Sequence, residues 1–172
     1  AARDAQTEAK EQFLTAMEQF KGVVAFQGGD LEREYHKLDA TLQESEASAA
    51  AVRERIGAVE DVSEALFSEW ETKLGQYTSD TLRQASQRRY DATKRKYTQL
   101  LAAMKRAEAR LEPVLVPLRD QVLFMKHNLN ARAIAGLNEE VVSVQANVDK
   151  LVREMESAIT QADAFIAQLQ AE

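Results

Sequence analysis

The feature that most constrains this chain is an apolar rhythm. Between Leu31 and Trp70, apolar or small residues recur at alternating steps of three and four: Leu31, Tyr35, Leu38, Leu42, Ser45, Ala49, Val52, Ile56, Val59, Ser63, Leu66, Trp70. The rhythm then slips by one residue and ends on Leu74 and Tyr77. This spacing places all of these side chains along one face of a single helix. A helix from 31 to 77 is about 70 Å long. A stripe of that length is better buried against other long helices than inside a compact globule.

The same rhythm recurs in the rest of the chain. A first helix is expected at about 2–25, with Ala9, Phe13, Ala16, Phe20 and Val23 on its stripe. It should stop at Phe26-Gln27-Gly28-Gly29-Asp30, where the glycine pair supplies a left-handed cap and Asp30 starts the next helix. After a turn at 75–80, with Ser79 or Asp80 as N-cap, a third helix is expected over about 81–129. Its stripe is Leu82, Tyr90, Thr93, Tyr97, Leu100, Met104, Ala107, Leu111, Val114, Leu118, Val122, Met125 and Leu129. Pro113 and Pro117 fall inside it and predict a kink near 113–117, or two helices meeting there, because proline lacks the amide donor and crowds the carbonyl four residues back. The turn at Asn128-Leu129-Asn130 leads to a fourth helix over about 132–170, striped by Ile134, Leu137, Val141, Val144, Val148, Leu151, Met155, Ala158, Ala162, Phe165 and Leu169. Gly57 sits inside the second helix with no evident reason.

Short turns between long helices make neighbours antiparallel. The expected fold is therefore all-α: one elongated, coiled-coil-like bundle over 1–172, with three long helices and a shorter N-terminal one. Four helices should meet at the end holding the 28–29 and 128–130 turns, and three at the far end. Composition agrees. Ala, Glu, Gln, Leu, Lys and Arg dominate, whereas there are 6 Gly and 2 Pro, and no run alternates with the period of a strand. The short first helix carries the expectation that it continues upstream of Ala1, where a signal or lipid attachment would lie.

Charge and residue inventory narrow the function. A net charge of −6 disfavours nonspecific binding to nucleic acid by the chain as a whole. No apolar run approaches the length of a membrane span. With 0 Cys, there is no thiolate nucleophile or cysteine zinc site. No Ser/His/Asp constellation, phosphate-cradling glycine loop or Gly-Lys-Ser/Thr loop occurs. No catalytic residue and no cofactor are therefore expected, and the chain is read as a non-enzyme. His36 and His127 are the two histidines and should lie at the same end of the bundle. They are the candidate metal ligands. The Glu-x-x-His spacing of di-iron bundles is missing, because Arg33 and Phe124 occupy the positions three before each histidine.

One stretch stands out. Residues 83–106 hold eight basic residues against Asp91 alone, a local charge of +7. Tyr90 and Tyr97 are interleaved. Arg88, Arg89, Arg95 and Lys96 are the candidate contacts to an anionic surface. The antiparallel neighbour, 54–71, holds six acidic residues against Arg55, a charge of −5. Pairing between the two helices is the stronger expectation, since flanking charges of opposite sign set partner and orientation in coiled coils. Small seam residues such as Ser45, Ala49 and Ser63 are places where another chain, a second copy included, can pack.

The segments RDQVLFMKHNLNARAI (119–134) and AVEDVSEALFSEWETKLGQY (58–77), with residues 2–19 and FQGGDL (26–31), resemble a bacterial family designated a domain of unknown function, number twenty-nine fifty-nine. The resemblance implies a protein of the Gram-negative envelope, periplasmic and lipid-anchored upstream of Ala1, because members usually begin with a secretion or lipoprotein-like signal. It implies no activity and no site residue. The expected role is a structural or protein-interaction module of the envelope whose partners are envelope proteins. The alternative is a peripheral binder of anionic membrane through 83–106.

Overall fold

The computed structural model describes residues 1–26 and 29–171. Six helices follow in order: α1 (Ala2–Val24), α2 (Leu31–Leu74), α3 (Asp80–Glu108), α4 (Leu111–His127), α5 (Ala131–Ala135) and α6 (Asn138–Ala171). No strand occurs among the described residues. The fold is all-α, as the periodicity requires.

Helix starts follow local chemistry. Asp30 accepts a hydrogen bond from the Arg33 amide at 3.0 Å, Ser79 from Leu82 at 3.4 Å and Asn130 from Ala133 at 2.8 Å. The glycine turn after α1 is partly as expected. Gly29 has φ of 90°, and a Cβ there would come within 3.1 Å of the Phe26 ring. Gln27 and Gly28 lie outside the described residues, and the C-cap of α1 is Ala25 in ordinary right-handed geometry. Around Gly57 no atom lies within 4 Å of an added Cβ, so packing does not explain that glycine.

Two expected helices are broken in places other than foreseen. The third ends at Glu108 and resumes at Leu111, upstream of the expected kink at 113–117. The physical cause is Pro113, whose ring crowds the carbonyl of Ala109, four residues back. Once the break lies there, Pro113 is the third residue of α4, where an amide would have no intrahelical partner anyway. Pro117 stays inside α4 and deprives the Pro113 carbonyl of its donor; Asn147 of α6 supplies one instead at 3.3 Å. The fourth expected helix is split into α5 and α6 at Gly136-Leu137, with the Asn138 side chain donating to the Ala135 carbonyl at 2.7 Å. The second helix stops at Leu74, not Tyr77.

Cross-helix contacts set the topology. Gln12 of α1 bonds Thr41 and Glu44 of α2, and Arg3 and Lys10 of α1 pair with Asp163 and Glu156 of α6. Glu60 and Glu71 of α2 pair with Lys105 and Lys94 of α3, and Arg53 with Glu112 of α4. Arg106 of α3 pairs with Glu154 of α6. In every case numbers rise along one helix as they fall along its neighbour. The result is a ring of antiparallel neighbours: α1, α2, the α3–α4 pair, and α6.

One continuous core runs through the ring. Phe13, Phe20, Leu38, Ile56, Leu111, Leu115, Leu118, Met125, Leu151 and Met155 are all almost completely covered. The core thins toward the α2–α3 turn. None of residues 57–73 and none of 80–89 is buried. Beyond the first turn of α1 only α2, α3 and α6 continue. Past the end of α6 the structure is a two-helix hairpin, one helix fewer than the three expected there.

Candidate functional site

The hairpin is where chemistry and exposure coincide. It is formed by the last third of α2 and the first two-thirds of α3, and aromatic rings hold it together where α1 no longer helps. The Tyr90 ring meets Phe67 edge-on at 5.6 Å and Trp70 at 5.5 Å, and Phe67 lies 5.4 Å from Tyr97. Such pairs add about 0.5–1.5 kcal/mol beyond the area they bury. The Trp70 indole N–H donates to the Ser86 hydroxyl at 3.1 Å. Tyr90 is thus buried in the hairpin, as its seam position implied, and Tyr97 is half-buried against Phe67. The seam itself is corrected: Phe67 faces α3, whereas Leu66 is 59% exposed. Leu82, Tyr77, Leu129 and Leu169, all placed on stripes by spacing, are also exposed.

The basic stretch divides into two groups. Lys94 sits 5.1 Å from the Tyr90 ring centre, donates to the Tyr90 hydroxyl at 2.7 Å and pairs with Glu71 at 3.3 Å. Tyr90 in turn donates to Glu71. These hydrogen bonds, Tyr90 first and Lys94 second, hold the Glu71 carboxyl below the usual carboxylate range and raise the Lys94 ammonium. Lys105 is raised by its bond to Glu60, and Arg106 reaches Glu154 at 3.7 Å. This group pairs within the bundle, as does Arg83, which lies 3.3 Å from Asp80 at the start of α3.

Arg88, Arg89, Arg95 and Lys96 form the second group, and all four are exposed. Lys96 donates to Gln168 of α6. Arg88 and Arg95, seven residues apart on one stripe, pair with no acidic side chain among the described residues. Between α3 and α6 an open groove of about 500 Å³ has Leu100 and Phe165 on its floor and Lys96 and Arg106 at its lip.

The histidines are not assembled into a ligand set. His36 is exposed, lies with its ring tilted beside Tyr35 and is 3.7 Å from Glu32; His127 is exposed at the end of α4. Among the described residues no group of three or more His, Asp or Glu could hold a metal ion. No helix there is long and apolar enough to cross a membrane.

Sequence reasoning passed over two buried polar residues, Thr41, which bonds Gln19, and Gln6. Gln6 of α1 is completely covered, and neither amide atom has a hydrogen-bond partner. The signal was available, because Ala2 and Gln6 continue the 4-3 rhythm of Ala9 and Phe13 backwards.

The whole length of the fold corresponds to one family match. Residues 1–169 match the family described as Protein of unknown function (DUF2959). The chain belongs to this family. No curated protein and no solved structure matches it. Family membership agrees with the resemblance carried by 58–77 and 119–134, and brings no ligand or reaction with it.

Proposed function

We propose that this chain is a non-enzymatic spacer and protein-interaction module of the bacterial cell envelope, with the α2–α3 hairpin as its contact end. One observation carries the reading: the hairpin stands clear of the four-helix part and exposes Val62 and Leu66, one turn apart on α2, with Leu82 exposed further along on α3. Adjacent apolar side chains left in solvent among charged ones mark interaction sites. The envelope location follows from the resemblance to proteins that carry export signals. The perturbed ionisable groups support a non-catalytic role. Glu69, Glu71, Lys73, Lys94, Lys105 and Glu112 are each shifted chiefly by a hydrogen-bonded partner at the surface, not by burial in a cleft.

The test is a photocrosslinking amino acid at position 66 of the full-length protein in living cells, with the same group at exposed Val142 as control. Position 66 should yield discrete crosslinked bands in the envelope fraction and position 142 none. A clean chase at both positions, or the whole protein recovered from the cytosol, overturns the reading.

A second reading is supported by Arg88 and Arg95, which present unneutralised charge on one stripe. It makes α3 a peripheral binder of anionic membrane. Vesicles containing phosphatidylglycerol should then float the protein at low salt and release it at high salt. Flotation that is absent, or that survives Arg88→Glu with Arg95→Glu, sinks it.

A further inference from the structure

We propose that the groove between α3 and α6 binds a small anionic amphiphile: one negatively charged head on a single unbranched hydrocarbon chain, as in a fatty acid. The proposal goes beyond the interaction-module reading and does not depend on it.

The groove exists because of what the two helices place along it. Helix α1 lies against another side of α6, where Asp163 and Glu156 take Arg3 and Lys10. Among the described residues only α3 and α6 line the groove. Ala102 and Ala164 stand on its walls, and both are exposed. Larger side chains at these two positions would fill it. Leu100, 6% exposed, and half-buried Phe165 form the floor. Apolar surface left open beneath small side chains is a place where a hydrocarbon chain gains by leaving water.

The two ends of the groove differ in charge. At one end Arg106 pairs with Glu154 at 3.7 Å, and the charges cancel. At the other end Lys96 donates to the side-chain oxygen of Gln168, a neutral acceptor. That bond leaves the positive charge of Lys96 uncancelled, and an ammonium group has three donors to give. Gln99 lines both the groove and a neighbouring depression that holds Arg95. Arg95 pairs with no acidic side chain among the described residues. The acid in that depression, Asp91, accepts from Gln87, and its other cation, Lys94, is taken by Glu71. The groove is thus apolar along its floor, neutral at the Arg106 end and positive at the Lys96 end. A molecule with an anionic head and an apolar tail has the complementary pattern, with its head at Lys96 and Arg95.

Size selects a thin occupant. The groove follows α3 from Lys96 to Arg106, about 15 Å at the rise of a helix. A partner helix of that length, about 10–12 Å across, occupies roughly 1,200 Å³ or more. The groove offers about 500 Å³, within the range of small-molecule sites, about 300–1,000 Å³. A single hydrocarbon chain is slender enough to lie on Leu100 and Phe165 between the two alanines.

Isothermal titration calorimetry of the full chain with dodecanoate, kept below its micellar range, tests this. Saturable one-site binding is expected. Decanoate, two methylenes shorter, should bind roughly fivefold to tenfold more weakly. Dodecyltrimethylammonium, with the same tail and a cationic head, should show no saturable binding. Arg95→Glu with Lys96→Glu should weaken dodecanoate at least tenfold, whereas Lys126→Glu with Lys150→Glu, an equal change in net charge elsewhere, should leave it intact. Ala102→Leu with Ala164→Leu should abolish binding with helicity by circular dichroism unchanged. No saturable binding, equal binding of the two dodecyl amphiphiles, or binding indifferent to the filled groove overturns the proposal. Flotation with phosphatidylglycerol vesicles in the absence of dodecanoate binding would overturn the site and leave the membrane reading standing. Crosslinks from position 66 bear on the interaction-module reading alone.

Discussion

At the scale of single residues, two features contribute to stability in ways that can be measured. Gln6 buries a primary amide in the core without a partner for either polar atom. A buried polar group left unsatisfied costs about 1–3 kcal/mol. Gln6→Leu keeps the side chain's size while removing that penalty, so the thermal midpoint should rise by an amount equivalent to about 1 kcal/mol or more. A midpoint that falls means the amide is satisfied in solution. The second feature is the set of surface carboxylates held below their ordinary range: Glu71 by Tyr90 and Lys94, and Glu112 chiefly by Arg53. A carboxylate whose folded pKa lies below its unfolded one contributes stability that is complete above the unfolded value. That stability is lost as pH falls through the folded one. Urea midpoints should therefore decline on acidification through and below the usual glutamate range, and the double variant Glu71→Gln with Glu112→Gln should show a flatter decline. Parallel curves would assign the acid sensitivity to other groups. Both carboxylates are exposed to solvent, so the effect on each is limited by screening.

At the scale of elements, the chain's helices were legible because the 3-4 rhythm is a direct image of a buried face, and caps such as Asp30 and Ser79 have their own local chemistry. Positions where tertiary contacts decide were not legible. Pro113 and Pro117 announced a disruption near 113–117, but its site depended on which carbonyl the ring strikes, and that moved the break to Ala109-Arg110. Leu66 and Phe67 are both apolar, and which of them faces α3 depends on how the helices coil past the slip near Trp70. Gly136-Leu137 breaks a rhythm that looked continuous, because Ile134 and Leu137 stay buried on either side of the turn. The candidate site was half legible. Lys94 and Lys105 pair with α2 as charge patterning foretold, whereas Arg106 pairs with Glu154 of α6 and the exposure of Arg88 and Arg95 follows from which face α3 turns outward. The Asn147–Pro113 hydrogen bond could not be read at all, since it joins residues 34 apart in sequence on two different helices. It also supplies a clean test. Asn147→Ala should cost about 0.5–1.5 kcal/mol, the ordinary net worth of such a bond. In a Pro117→Ala background the restored amide of residue 117 donates to the same carbonyl, so the loss should largely vanish. A double-mutant cycle with no coupling between the two sites would show that the carbonyl is content with water.

At the scale of the molecule, stability is distributed along the rod. The half of the chain built from α1, α4, α6 and the start of α2 contains nearly all of the fully covered side chains, whereas no residue of α2 between 57 and 73 is buried. Helix α2 thus runs unbroken from a four-helix region into a two-helix one. Its own hydrogen bonds are the same throughout, so any difference in opening between its ends reports tertiary packing alone. Local opening is easiest where few apolar contacts must be broken. Amide hydrogen exchange should therefore show strong protection over 35–56 and weaker protection over 60–73 and 80–93, with limited proteolysis starting in the 75–79 turn. Uniform protection along α2 would mean that Phe67, Trp70, Tyr90 and Tyr97 suffice to lock the hairpin.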